Sequence, residues 1–203
     1  MPFREIRNAI KAHSGVFVCA RLDDETHVKE ARFHHKSEPP VESEVDVPPE
    51  LLPFYRVFGS LTLYYDPVSS EAAFHIGSPA QWEDLDIGLR SWFEDLSEQE
   101  VEHLLPQWID DCITFGEIPS TGNYLLMPLV GDKRGFIIEF EHDGYEFIEQ
   151  APDLEQFLRR LLDPSDATVG DMAGHMRFVE NDDWSVQWGM TEMRDNRGNR
   201  VLV

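Results

Sequence analysis

The feature that most constrains this chain is a series of four short apolar runs, "CITF", "YLLMPL", "GFIIEF" and "YEFIEQ", between Cys112 and Gln150. Runs of this length, rich in Ile, Leu, Phe and Tyr and bounded by Gly, Pro, Asn and Asp, form strands, and connections this short join antiparallel neighbours. The stretch therefore predicts a meander of four antiparallel strands. Its last two strands are joined by "HDG", and the Asp143-Gly144 pair signals a hairpin because tight turns need positive φ, which glycine adopts freely.

Helices are expected on both sides of this meander. Ser78, Pro79 and Gln81 form an S-x-x-Q capping box with proline at the first helical position, and Trp82, Leu85, Leu89, Trp92 and Leu96 recur at spacings of three and four as a core-facing stripe. A second box, "SEQE" at Ser97 to Glu100, starts a short helix that Pro106 ends. After the meander, "PDLEQFLRRLLDP" places Leu154, Phe157, Leu158, Leu161 and Leu162 on one face, with Asp153 and Gln156 as caps and Pro164 as the stop.

Upstream, "PFREIRNAIKAHSG" puts Phe3, Ile6 and Ile10 on one helical face, and "VFVCARL" reads as a buried strand. "THVKEARFHH" fits strand or helix equally. "HHKSEPPVESEVDVPPE" is polar and proline-rich, which predicts a long connection and a boundary near Val47. "PPELLPFYRVFG" then predicts a helix ending at Gly59 with Pro53 in its opening turn, and "SLTLYYD" and "AAFHI" follow as strands around a "DPVSS" turn. In the tail, Trp184, Val186, Trp188 and Met190 alternate as a half-buried strand does. The expected organisation is an extension over residues 1–47, a domain over 48–164, and a strand-rich extension over 165–203 packing on that domain.

Charge narrows the function classes. The chain has 39 acidic and 17 basic residues for a net charge of −22, and the excess is concentrated: residues 57–158 hold 21 acids and 3 bases. Such a field disfavours nucleic acid and anionic membranes and attracts basic partners. Self-repulsion works against a compact state, so a block this one-sided points to a use for the field as well as to solvated faces. The candidate partner-binding residues within it are Asp84, Asp86, Asp110, Asp111, Glu139, Glu141, Asp143 and Glu146. The last four alternate or cluster where one sheet face and its turn meet solvent.

No catalytic signature accompanies these acids. His34-His35, His103, His142-Asp143 and the carboxylate pairs Asp84/Asp86 and Asp110/Asp111 are the residues that acid–base or metal chemistry could use, and none has a diagnostic spacing. H-E-x-x-H, G-x-S-x-G, P-loop and G-x-G-x-x-G patterns are all missing. The expectation is a non-enzyme with no metal ligands and no cofactor. Cys19 and Cys112 fit no C-x-x-C or zinc spacing and read as free buried thiols. "MPFREIRNAIKAH" lacks the apolar core of a signal peptide, and no run approaches the roughly 18 apolar residues of a membrane span, so the expected location is cytoplasmic.

The order "PPELLPFYRVFGSL", "ITFGEIPSTGNYLL", "GFIIEF", "HDGYEF", "APDLEQFLRRLL", over roughly residues 48–162, resembles the SUKH superfamily of immunity proteins and cell-wall-synthesis regulators. The resemblance implies an α+β fold, a mainly antiparallel sheet flanked by helices. It also implies a protein-binding function, neutralisation of a cognate and often nuclease-like bacterial toxin, and the acidic field favours a basic one. The alternative is an intracellular regulatory or scaffold module of the same fold that binds a host partner.

Overall fold

The computed structural model describes residues 2–40, 46–180 and 183–203. The protein is α+β: among the described residues, an antiparallel sheet of eleven strands is flanked by six α-helices. No described helix is long and apolar enough to cross a membrane. The chain divides into two compact units, each built from separate stretches of sequence.

The first unit comprises Met1–Lys36, Thr62–Phe74 and Arg159–Val203. Helix α1 (Pro2–Ala12) buries Phe3, Ile6 and Ile10, the face its spacing predicts. Strand β1 (Gly15–Arg21) is hydrogen-bonded on one side to β2 (Asp24–Glu38) and on the other to β10 (Asp183–Asp195), both antiparallel. The ambiguous "THVKEARFHH" is thus a strand. Ala31 and Phe33 are buried and Arg32 between them is exposed, the period-two pattern of an extended chain. The same strand takes in His34 to Glu38, the start of the stretch expected to be a connection, while residues 41–45 of that stretch lie outside the described residues.

Strands β9 (Phe178–Glu180) and β11 (Arg200–Leu202) both pair with β10, and helix α6 (Asp166–His175) packs on β10 and β11. Helix α6 opens the stretch expected to be a strand-rich extension. Ser165 caps it by accepting the Thr168 amide at 3.3 Å, and it buries Val169 and Met172. The core of this unit is aromatic: Phe33 lies 4.7 Å from Phe17 and 5.0 Å from Tyr64 between ring centroids, and Phe17 lies 5.5 Å from Phe178.

The second unit comprises Ser37–Leu61 and His75–Leu158. Helix α2 (Leu52–Tyr55) carries Pro53 in its opening turn and ends before the expected Gly59, although a Phe58–Phe54 backbone hydrogen bond of 2.9 Å carries one more turn. Strand β3 (Ser60–Tyr65) begins in this unit and continues into the first from Thr62, and β4 (Phe74–Ile76) returns the chain to it at His75. The Ser78 amide donates to Gln81 Oε1 at 2.8 Å, the predicted capping box, which opens a 3-10 turn leading into helix α3 (Trp82–Ser91). Trp82, Leu85 and Leu89 are buried as the stripe predicts, but the helix stops at Ser91, so Trp92 and Leu96 lie beyond it and are half-buried. The Ser97–Glu100 box starts α4 (Glu98–Leu104) as expected.

The meander is present in full: β5 (Cys112–Ile118), β6 (Asn123–Pro128), β7 (Ile137–Glu141) and β8 (Glu146–Ala151) pair in sequence order, all antiparallel. Strand β4 joins β5 on its other edge. Helix α3 packs across β5 and β6, where Leu89, Ile109, Leu126, Ile138 and Phe140 form a core cluster. Helix α5 (Leu154–Leu162) follows, with Asp153 Oδ1 accepting the Gln156 amide at 2.7 Å, and from Arg159 it belongs to the first unit.

The β7–β8 turn corrects one expectation. Gly144 does not hold the positive φ; Tyr145 does, at 53°. The Glu141 carboxylate accepts the amides of Asp143 at 3.1 Å and Gly144 at 2.8 Å, and Tyr145 is tied down by its hydroxyl donating to the Trp92 carbonyl at 2.9 Å. Those bonds move the left-handed residue one position along. A β-branched residue at 144 therefore meets no φ penalty there.

Candidate functional site

The charge asymmetry seen along the sequence is sharper in the fold. The two segments of the second unit hold 24 acids against 4 bases, and the three segments of the first hold 15 against 13. Almost the whole net charge resides in one unit. Its local field is that of a strongly anionic surface, whereas the first unit is close to neutral.

The eight sequence-predicted residues separate into engaged and available carboxylates. Arg90 gathers two of them: its Nη1 donates to Asp110 at 2.8 Å, its Nε lies 3.4 Å from Asp86, and its Nη2 donates to the Ile109 carbonyl at 2.7 Å. Asp86 also accepts from the Thr114 hydroxyl at 2.9 Å. Glu139 accepts from Asn123 Nδ2 at 3.0 Å and Gln150 Nε2 at 2.7 Å, and Glu141 holds its turn. Asp143, 85% exposed, faces His142 Nε2 at 3.1 Å. Asp84, Asp111 and Glu146 make no side-chain hydrogen bond or ion pair among the described residues, and neither do the exposed Glu83, Glu94, Asp95, Glu98 and Glu102. Half of the predicted set thus stabilises the unit's own turns and strands, and the available field comes mainly from α3, α4 and the segment joining them.

One of the available acids lines a cleft. A cavity of about 240 Å³ is bounded by His75, Gln81, Asp84, Leu85, Glu117 and Tyr124. Its floor follows from strand register: His75 of β4 stands opposite Glu117 of β5, which stands opposite Tyr124 of β6, so the three form one row across the sheet. The first turns of α3 supply Asp84 and Leu85 above that row. Gly88 lets Tyr124 approach the helix, because a Cβ there would sit 2.3 Å from the tyrosine hydroxyl. Burial lowers the His75 pKa, against the opposing pull of Glu117 and Glu38, and burial together with Glu117 raises that of Tyr124. At neutral pH the cleft therefore presents a neutral imidazole, a neutral phenol and two carboxylates.

His75, Glu117 and Tyr124 were outside the sequence-predicted set. Nothing in their local sequence marks them; only pairing of three strands brings residues 75, 117 and 124 together.

Other titratable groups are accounted for locally. Glu141, His142 and Asp143 place one ligand atom each within 4.8 Å of one another, but they are consecutive residues of a turn, and the Glu141 oxygens already accept two amides. The His142 ring lies tilted against Trp92, 4.5 Å between centroids, and its Nδ1 lies 2.8 Å from Asn123 Oδ1. His103 is exposed near the end of α4. In the other unit, His34 packs edge-on against Tyr65 at 5.4 Å, and His35 hydrogen-bonds His13 at 2.9 Å. Cys19 is buried and Cys112 half-buried; both thiols are free, and burial pushes each pKa up to about 12, which keeps them protonated and unreactive at neutral pH.

No family model, curated protein or solved structure matches this chain.

Proposed function

We propose that this chain is a non-catalytic protein-binding protein that neutralises a basic bacterial toxin, as the SUKH immunity proteins it resembles do. The observation that carries the reading is the segregation of charge into one unit, with 24 acids against 4 bases, many of them exposed and without internal partners. A field of one sign accelerates encounter with an oppositely charged protein and discriminates against acidic ones, while a few desolvated contacts set the lifetime of the complex. Ile87, 62% exposed on α3 close to Glu83 and Asp84, is an apolar side chain placed to make such a contact.

The test is binding kinetics against basic bacterial nuclease toxins, beginning with any such protein found encoded beside this chain's gene. Reversing Glu94, Asp95, Glu98 and Glu102 to Lys changes the charge by roughly +8 without touching an internal ion pair, and is expected to slow association about tenfold or more with little change in dissociation. Raising the salt shortens the ~8 Å Debye length and is expected to act the same way. Association indifferent to both salt and charge reversal removes electrostatic steering from the reading, and the lack of any complex removes the reading itself.

A further inference from the structure

We infer that the cleft between the start of α3 and the His75–Glu117–Tyr124 row is a receptor for a guanidinium group, the side chain of an arginine presented by the basic partner. This rests on the proposed basic-partner function and adds to it the place and chemistry of one anchoring contact.

Three observations select a guanidinium. The first is charge: Asp84 and Glu117 contribute two carboxylates from opposite walls, neither makes a hydrogen bond or ion pair among the described residues, and no cationic side chain lines the cavity. Two unneutralised carboxylates facing one cavity repel each other and reject anions, so a cation there gains from both. The second is spacing. No three of the cleft's His, Asp and Glu ligand atoms come within 4.8 Å of one another; among the described residues only Glu141, His142 and Asp143 do. The cleft is too wide for a single metal ion to reach its donors together, and suits an extended cation that carries several N–H groups.

The third is the kind of acceptor on offer. Besides the carboxylates, the Tyr124 hydroxyl borders the space as an acceptor, Leu85 gives an apolar wall for a methylene stem, and Gln81 lines the rim with its Oε1 already held by Ser78. A guanidinium presents five N–H donors in a planar fork and is more weakly hydrated than an ammonium, so it satisfies separated acceptors at a lower desolvation cost. It also stacks on aromatic faces, and the Tyr124 ring borders the same space. Held against α3 by the close approach at Gly88, that ring is a fixed wall of the cleft.

The experiment titrates the full chain with N-acetyl-arginine amide and with a nona-arginine peptide, read by the ring resonances of His75 and Tyr124 and by calorimetry. The expected result is saturable binding of both probes with shifts at His75 and Tyr124. Glu117→Gln and Asp84→Asn are each expected to weaken N-acetyl-arginine amide roughly tenfold, the loss of one charge-assisted contact, while Glu102→Gln leaves it unchanged. N-acetyl-lysine amide is expected to bind more weakly, and equal binding of the two overturns the guanidinium assignment. If nona-arginine binds with an affinity that Glu117→Gln plus Asp84→Asn does not alter, the cleft assignment fails while the basic-partner reading stands. If neither probe binds, both fail.

Discussion

His35 donates its Nε2 proton to His13 Nδ1 across 2.9 Å, and this bond is one step of a relay through the first unit. The Tyr64 amide donates to His35 Nδ1 at 3.0 Å, so that nitrogen is bare and Nε2 carries the proton. His13 in turn directs its Nε2 proton to Asp195 at 3.2 Å, and Asp195 is held by Arg197 Nε at 3.0 Å. The Tyr64–His35 and His35–His13 bonds each need a bare acceptor nitrogen, so together they require both imidazoles to be neutral.

That requirement has a pH signature. Burial lowers the pKa of His13 and brings that of His35 down to about 3, and in the same unit burial brings His175 to about 4. In the unfolded chain these groups protonate near 6.5. The unfolded state therefore binds more protons as pH falls from about 6.5 toward 3, and folding stability is lost across that window, by a few kcal/mol. Histidine C2–H titration by NMR is the direct check: His35 is expected to stay neutral to below pH 4, and a midpoint near 6.5 breaks the relay.

Glu71 contributes the opposite slope. It is buried in the first unit, and desolvation raises its pKa to about 7 despite the nearby positive charge of Arg177. Its raised folded pKa means stability is full below about 4.5 and lost as pH rises toward and through 7. Glu71→Gln is expected to stabilise the protein by roughly 1–2 kcal/mol at pH 8 and to have little effect at pH 4. Urea midpoints at the two pH values decide it; equal effects at both mean that the carboxyl is not carrying a buried charge.

The fold was legible in the sequence wherever the signal is local. The Ser78–Gln81 and Ser97–Glu100 boxes start their helices because a cap needs only residues three apart, and the meander follows from apolar runs between turns. Helix α6 was not legible: Gly170 and Gly174 weaken its propensity, and its helical state rests on packing against β10 and β11. The β7–β8 turn departed from the Asp-Gly rule although its cause is local: the Glu141 carboxylate, two and three residues back, accepts the amides of Asp143 and Gly144, and the positive φ falls on Tyr145. For the site, the excess of acid was plain, but which acids are free was not. The Arg90–Asp86 pair is one helical turn on α3, but the Arg90–Asp110 bond depends on where that helix meets the turn before β5, and the row of His75, Glu117 and Tyr124 depends on register between strands apart in sequence.

Gly15 sits where β1 has no room for a side chain against β10. A Cβ there would lie 2.1 Å from the Arg194 carbonyl oxygen and 2.8 Å from Asp195 Cα, both backbone atoms that cannot swing aside. Gly15→Ala is expected to push β10 from β1 and destabilise by more than ~2 kcal/mol, the range for overpacking a tight site. Since Asp195 faces Gly15 in the register, the His13–Asp195 contact should loosen with it. Chemical denaturation with an unchanged midpoint contradicts the register.

Arg90 is the stability counterpart of the acidic field. Its pair with Asp110, whose side chain is 86% exposed, is worth under ~1 kcal/mol on its own. The larger share comes from the Ile109 carbonyl it caps at 2.7 Å, and from Asp86, which in turn holds the buried Thr114 hydroxyl. Removing the guanidinium leaves that carbonyl without this donor and two carboxylates without their countercharge. Arg90→Gln is therefore expected to cost about 1–2 kcal/mol. Because part of the loss is repulsion between carboxylates, it should shrink at high salt, and Asp110→Asn in the Arg90→Gln background should recover part of it. A double-mutant cycle by chemical denaturation at low and high ionic strength separates the contributions. A loss that neither salt nor Asp110→Asn reduces assigns Arg90 wholly to the Ile109 carbonyl and takes electrostatic restraint of the acidic unit out of its role.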